Sequence, residues 1–403
     1  MSEGDYSGWS GLAKELAQVI DARSLRGRRY EWAYLLVLLA AALLGGEKTL
    51  VGMHDWLRSN QDALVEQLQP RRRCIPSLST LGRVVQRVNV VALEQACGRF
   101  QRELGGECGE AGTLLTRQGK RLVGQALDGK TVCGASAHGE LVHLVSLVRH
   151  EIGLVYDQDK GGIRNHERRV AETIFARNDL HDTVITTDAL HTCHKQAHQI
   201  CRAGGDYLFV VKGNQRALVE AIRDAFTVLP PVGTCEAEFW QYETTSVHYR
   251  GHGRTEHVTL ESTTALNLYL AFPGVAQVVR RTHQVMEHST RKTTVSTEYL
   301  ITSLDRDRVT LAQIETCRRR HWTIENVVHY PRDESFGEDR SQVHAGNAPQ
   351  ALAALRNAVA ALLRIEGWTS LPSGFRYFSN SPQRSLQLLG VPATRFHPTR
   401  ANS

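Results

Sequence analysis

Ala126-Leu127-Asp128-Gly129-Lys130, Ile185-Thr186-Thr187-Asp188-Ala189 and His321-Trp322-Thr323-Ile324-Glu325-Asn326 are the stretches on which the fold turns. In the first two, an apolar, strand-like run ends on an aspartate. Chemistry in an α/β sheet gathers at the carboxyl ends of its strands. Neighbouring strands lie about 4.8 Å apart, so two such aspartates on adjacent strands can share one ion. The third stretch carries its acid inside a helical pattern. His321, Glu325 and His329 are four apart and Arg332 follows a turn later, which places all four close to one helix face. An acid flanked by His and Arg can bind a metal while its neighbours grip phosphate. Other readings stand beside these. A single aspartate also suits a cap or turn, the helix face also reads as a salt-bridged surface, and His321 with His329 makes a loosely spaced zinc pair.

Around these stretches the hydrophobic pattern predicts an α/β fold. Strand-like runs at 121–127, 141–148, 152–157, 183–187 and 206–211 alternate with helical patterns at 165–178, 191–203 and 214–227, which indicates a mixed sheet. A β-rich block at 233–302 follows, with runs at 236–240, 257–260, 277–279, 293–295 and 299–301. It falls between the second and third acids and reads as an insertion. Helix returns at 309–330, and Pro331 is expected to break it soon after Glu325. In the last helix, Asn347 caps, Pro349 suits the first turn, Leu352, Leu355, Val359 and Leu362 form one stripe, and Gly367 suits the end.

Upstream, residues 8–105 read as all helix. Ser77-Leu78-Ser79-Thr80 starts a short helix with Arg83 and Arg87 on one face, and Arg71-Arg72-Arg73 precedes it. This is either a helix-turn-helix-like DNA contact or a solvated basic face. The expected layout is a helical N-terminal domain (1–110), with a linker across 106–120, and then the first part of a catalytic core (120–228). A β-rich insertion (229–303), a helical second part bearing the glutamate (304–367) and an irregular tail (368–403) follow.

Composition bounds the function. A chain of 403 residues with 41% hydrophobic and 22% charged residues is ordinary for a soluble protein with more than one domain. The net charge of +6 suits a nucleic-acid partner. No two of the eight cysteines have Cys-x-x-Cys spacing, which argues against zinc-ribbon and thioredoxin folds. The N-terminus shows no signal-peptide pattern, so a reducing cytosol with free thiols is expected. The longest apolar run, 33–44, is shorter than the roughly 20 residues a membrane span needs and reads as a buried core helix.

Breaking a phosphodiester needs an activated oxygen nucleophile and a stabilised leaving oxygen, and two divalent ions can serve both. Magnesium wants oxygen ligands, which two aspartates and a glutamate supply, whereas Cys and His sets would favour zinc. Asp128, Asp188 and Glu325 are therefore the candidate catalytic and metal-binding residues.

Six segments in order resemble the H-repeat-associated transposases, bacterial insertion-sequence enzymes of the DDE class. They are Ala-Leu-Asp-Gly-Lys-Thr (126–131), Thr-Asp-Ala-Leu-His (187–191), Gly-Gly-Asp-Tyr-Leu-Phe-Val-Val-Lys-Gly-Asn-Gln (204–215), His-Gly-Arg-Thr-Glu (252–256), His-Trp-Thr-Ile-Glu-Asn (321–326) and Phe-Gly-Glu-Asp (336–339). The resemblance covers about residues 20–366. It implies an RNase-H-like mixed-sheet core with a β-rich insertion, preceded by helices, and two magnesium ions, with manganese as a substitute. Asp128 and Asp188 match the family's aspartates and Glu325 its glutamate. Lys212, Asn214 and Gln215 match the Lys-Gly-Asn-Gln stretch and, with His321, His329, Arg332, Arg83 and Arg87, are the expected DNA contacts. Trp240 reads as a core residue or a platform for a displaced base. The run Gly161–Glu167, Cys133, Cys193 and Tyr330-Pro331-Arg332 depart from the family pattern.

The implied activity is cleavage of double-stranded DNA at terminal inverted repeats, followed by attack of the freed 3′-hydroxyl on target DNA. A homodimer or larger assembly would bring two ends together. The alternatives are a catalytically silent, transposase-derived DNA-binding protein and a nuclease that cuts without joining.

Overall fold

The computed structural model describes residues 6–24, 28–134, 142–161, 167–229 and 233–393. Six helices come first: α1 (Gly11–Ala17), α2 (Trp32–Leu44), α3 (Leu50–Ser59), α4 (Gln61–Leu68), α5 (Leu78–Arg87) and α6 (Val90–Glu107). The run read as a core helix is α2, and every one of its side chains is buried. A helix apolar all round needs neighbours on every side. They are α1, α3, α5 and three helices from the far end of the chain, α13 (Ala348–Ile365), α14 (Leu371–Ser379) and α15 (Pro382–Leu389). One apolar core thus joins the N-terminal helices to the C-terminal ones. Of the tail expected to be irregular (368–403), the described residues to 393 are largely two helices: Leu371, Phe375, Phe378, Leu386 and Leu389 are buried in that core.

The strands are β1 (Thr113–Leu115), β2 (Arg121–Val132), β3 (Val142–Arg149), β4 (Val155–Gly161), β5 (Thr183–Thr187), β6 (Asp206–Val211), β7 (Glu243–Gly251), β8 (Arg254–Thr263), β9 (Gln277–Glu287) and β10 (Thr293–Thr302). Between them run α7 (Glu167–Arg177), α8 (His194–Arg202), α9 (Arg216–Val228) and α10 (Cys235–Phe239). Among the described residues one mixed sheet has the order β4-β3-β2-β5-β6-β10-β9-β8-β7, with β1 beside β2. The strands β2, β5 and β6 are parallel and every other pairing is antiparallel. The inserted strands enter through β10, which pairs with β6, so the β-rich block extends the main sheet. The run 236–240, expected as strand, is the helix α10, and Trp240 after it is half-buried against Phe239 and not in the core.

One sheet face packs on α7, α8 and α9 through Leu127, Ile185, Phe209, Ile174, Ile200 and Phe226. The other packs on α11 (Leu311–Arg320) through Val184, Leu208, Leu300 and Ile314. The helical core reaches the sheet through α6, which lies on β4. Two glycines permit that approach: a side chain at Gly98 or Gly105 would run into Tyr156.

Candidate active site

The parallel register pairs Leu127 with Thr187, so Asp128 follows within β2 and Asp188 follows just past the end of β5. Asp128 does not end its strand, as the sequence had suggested. β2 runs on to Val132 and keeps its pairing with β3, while β5 stops one residue before Asp188. The sheet therefore opens beside Asp128 on that side.

Asp188 starts a tight turn. Its Oδ1 accepts the Leu190 N–H at 2.9 Å, and its carbonyl accepts the Thr192 hydroxyl. The Lys-Gly-Asn-Gln stretch braces this turn. Asn214 Nδ2 donates to the Ala189 carbonyl at 2.7 Å, and Gln215 Nε2 donates to that of Thr192. Both amides, expected as DNA contacts, thus have a job within the protein. Lys212 is exposed at the end of β6.

Glu325 arrives on an unusual piece of helix. After α11 the chain widens into a π-helical turn at Ile324–His329 and continues as α12 (Tyr330–Glu334). Ile324 and Val328 pack on Ala126, Val148 and Val155 and so plant the turn on β2 beside Asp128. Pro331 does not end the helix. It lacks the N–H that the Val327 carbonyl would receive in a regular α-helix, and the half-buried Arg364 guanidinium donates to that oxygen instead. π turns recur at functional sites.

The His321–Arg332 face divides. Glu325 is 52% exposed, and its Oε2 lies 3.0 Å from Nδ1 of His329, which is only 3% exposed. One ligand atom each from Asp128, Glu325 and His329 lies within 4.8 Å of the other two. Asp188 does not join this group at that radius. His321 points inward, with Nδ1 3.0 Å from the Thr186 hydroxyl, and burial pushes its pKa down to about 3. Arg332 is buried, with Nε 2.9 Å from Glu338 Oε1, and Arg356 holds the other oxygen of the same carboxylate at 3.0 Å. The expected DNA contacts through His321 and Arg332 therefore have no surface on which to be made. Arg83 and Arg87 are exposed on α5, where the Arg83 Nε donates to the Ser79 carbonyl.

The electrostatics of the site favour a cation. Burial holds the Asp128 carboxyl above its ordinary pKa, and the charge of Asp188 adds to this, while His329, the Gly129 N–H and His191 oppose it. A half-buried acid beside a second acid ionises readily only with positive charge at hand. Glu325 is held below its ordinary range, first by the hydrogen bond from His329. Two carboxylates with a buried imidazole are donors that suit a divalent ion.

Sequence reasoning missed three supports. Lys130 follows Asp128 by two residues on the same face of β2, and its Nζ lies 2.6 Å from Asp333 Oδ2 and 4.0 Å from Asp339 Oδ1. It ties β2 to α12 and to the Phe-Gly-Glu-Asp segment. Behind the aspartates, Glu167 bridges His143 (2.6 Å) and His191 (3.5 Å). Its pKa falls to about 2 because these hydrogen bonds outweigh its burial. The only signals for Lys130 and His191 were their places within motifs quoted for other residues. Glu167 closes the 161–167 run, of which 162–166 lie outside the described residues.

The third support is the insertion motif. His252 and Gly253 adopt positive φ and turn β7 into β8. Glu256 then meets Arg254 (2.7 Å), His283 (3.1 Å) and Arg319 (2.7 Å). With Glu315–Arg281 and Glu298–Arg318, these ion pairs clamp α11 to the inserted strands just ahead of Glu325.

Aspartates from two neighbouring parallel strand segments and a helical glutamate are donors that suit metal-assisted phosphoryl transfer. Residues 122–363 match the family model described as Transposase DDE domain, and residues 13–101 match the one described as DDE_Tnp_1-associated. The chain belongs to the DDE transposase family. Two relatives from Escherichia coli K12, "Putative protein YbfL" and "H repeat-associated putative transposase YhhI", are each 23% identical over 355 residues, covering 86% of this chain and 88% of theirs. "Putative transposase YncI" from Escherichia coli O157:H7 is 28% identical over 300 residues, 72% of this chain and 71% of its own. Membership implies DNA binding and use of a divalent metal. Among the described residues no helix is long and apolar enough to cross a membrane.

Proposed function

We propose that the chain cuts double-stranded DNA at the terminal inverted repeats of an insertion sequence and joins the freed 3′-hydroxyl to target DNA, on an RNase-H-like core. The observation that carries this reading is the meeting of Asp128, on the central strand β2, with Glu325 from a distant helical segment, while Asp188 follows directly on the neighbouring strand β5. Divalent ions, magnesium or manganese, supply activation of the attacking oxygen and charge neutralisation at the leaving oxygen. Asp128 and Glu325 would hold an ion directly. Asp188, one strand over, would complete the set of acids and serve a second ion.

The remaining residues act by position. Asn214 and Gln215 keep the Asp188 turn fixed. Lys130 and the ion pairs on α11 hold the glutamate helix against β2. Such pre-set geometry is the main protein contribution to phosphoryl transfer. Lys212, at the open end of β6, and Arg83 with Arg87 on α5 would contact DNA phosphates, which makes binding salt-dependent. Joining two ends calls for at least two copies of the chain, in a bacterial cytoplasm where the DNA lies.

The test is purified protein on DNA carrying the element's own ends, with and without magnesium. Asp188→Asn is expected to keep end binding and lose both nicking and joining. Unchanged strand transfer by that variant would overturn the assignment. Pre-cleaved ends that are bound but never joined would instead mark a nuclease.

A further inference from the structure

We propose that His329 is itself a ligand of the divalent ion, which gives the site an imidazole nitrogen beside the carboxylates of Asp128 and Glu325 and a preference for manganese over magnesium. This rests on the metal-dependent reading above and specifies which ion the site takes.

Three features of the histidine carry the inference. It is almost fully buried, so its ring nitrogens do not spend their capacity on solvent. Its Nδ1 is 3.0 Å from Glu325 Oε2, and its Nε2 is buried with no hydrogen-bond partner among the described residues. Two donors 3.0 Å apart are spaced as adjacent ligands of one ion with bonds of about 2.1 Å, so in the tautomer protonated at Nε2 the Nδ1 lone pair and Glu325 Oε2 can share that ion. Finally, one atom each from Asp128, Glu325 and His329 falls within 4.8 Å of the others. Donors on opposite sides of an ion with bonds of about 2.1 Å lie about 4.2 Å apart, so the three can close on one ion after small side-chain shifts.

Neighbouring histidines are committed elsewhere. His143 lies between Thr131 and Glu167, His191 between Glu167 and Gln196, and His321 against Thr186. Only His329 shares a turn with the glutamate, because the π-helical segment places both over Asp128. Magnesium takes oxygen donors almost exclusively, while imidazole suits transition metals. A mixed oxygen–nitrogen set therefore tilts the site towards manganese.

The experiment is pulsed electron paramagnetic resonance on the full chain with manganese(II), without DNA and without turnover. Directly bound imidazole is expected to give nitrogen modulation that changes when histidine is labelled with ¹⁵N. His329→Gln should abolish it and weaken manganese binding about 10- to 100-fold, with circular dichroism confirming the fold. By calorimetry the wild type should bind manganese at least tenfold tighter than magnesium, and His329→Asp should narrow that margin. If the His329 variants do not fold, the wild-type nitrogen signal and ion margin still decide. Manganese binding that requires Asp128 and Glu325 but shows no nitrogen signal, or a signal that survives His329→Gln, overturns the proposal and leaves the function standing. Manganese binding indifferent to Asp128→Asn and Glu325→Gln overturns the metal site itself.

Discussion

Glu325 and Glu338 lie thirteen residues apart, and the protein treats them in opposite ways. Glu338 is fully buried between Arg332 and Arg356, whose charges hold its pKa down despite its burial. Glu325 stands half-exposed on a π turn with the His329 imidazole as its ion-pair partner, facing an aspartate whose pKa burial has raised. One acid has its counter-charge built in; the other is left open to a charge from outside. A buried pair is costly to break from either side, so Glu338 belongs to the architecture. An acid half-exposed beside an imidazole is suited to hold a cation that comes and goes.

The sharpest way to break this comparison is to neutralise each acid in turn. Asp128→Asn and Glu325→Gln are expected to lower DNA cleavage by about 10³-fold or more in a gel assay. Folding stability should hold, or rise for Asp128→Asn, because that site destabilises a carboxylate. Glu338→Gln should do the reverse. It leaves two buried guanidinium groups unpaired and should cost about 3–5 kcal/mol in urea unfolding. Full stability with lost cleavage in that variant would erase the distinction.

Acid titration of the metal-free protein sharpens the same contrast. The carboxyls of Glu167 and Glu256 are depressed to about 2, in each case because hydrogen bonds from basic partners overcome burial. A depressed carboxyl takes up its proton less readily folded than unfolded. Its stabilisation is therefore complete above the unfolded pKa, about 4.3, and is lost as pH falls towards 2. Asp128 has the opposite sign, and its penalty eases on acidification. Thermal melts should show falling stability across that window, with a shallower slope in Glu167→Gln. An unchanged slope would show that the His143–Glu167–His191 bridge does not form in solution.

A smaller effect is expected at the clamp. Glu256→Gln weakens the hold on Arg319 and should slow cleavage about tenfold, with manganese affinity unchanged, since a modest misplacement is enough to lower the rate. The smallest concerns cations with no internal acid. Arg83 and Arg87 are exposed on α5, and Arg83 donates only to backbone and hydroxyl oxygens of its own helix among the described residues, in contrast to Arg332 on Glu338. Replacing either with Ala should weaken end binding severalfold at all sequences and reduce the salt-dependence slope by about one.

Much of this was legible along the chain. The alternation of apolar runs placed β2, β5 and β6 and the helices between them, because period-2 and period-3.6 patterns are set by local geometry. The same patterning placed most of the inserted strands, and motif order singled out the three acids as candidates. The reading failed where local rules met long-range partners. Pro331 should stop a helix, but Arg364 from another helix satisfies the carbonyl it strands. The tail with scattered Pro and Ser became α14 and α15, because Phe375, Phe378 and Leu389 found an apolar core built by residues from the other end of the chain.

The sequence by itself determined which residue types stand at which spacing, hence the strands, the helices and the acids they carry. Only the tertiary structure decided which charges are cancelled. Four residues of similar promise, His321, Glu325, His329 and Arg332, share one stretch, yet His321 and Arg332 turn inward to Thr186 and Glu338 while Glu325 and His329 gather over Asp128. The reason is physical: a helical repeat fixes the direction a side chain takes from its own axis, whereas the partner waiting there comes from a segment far away in the chain.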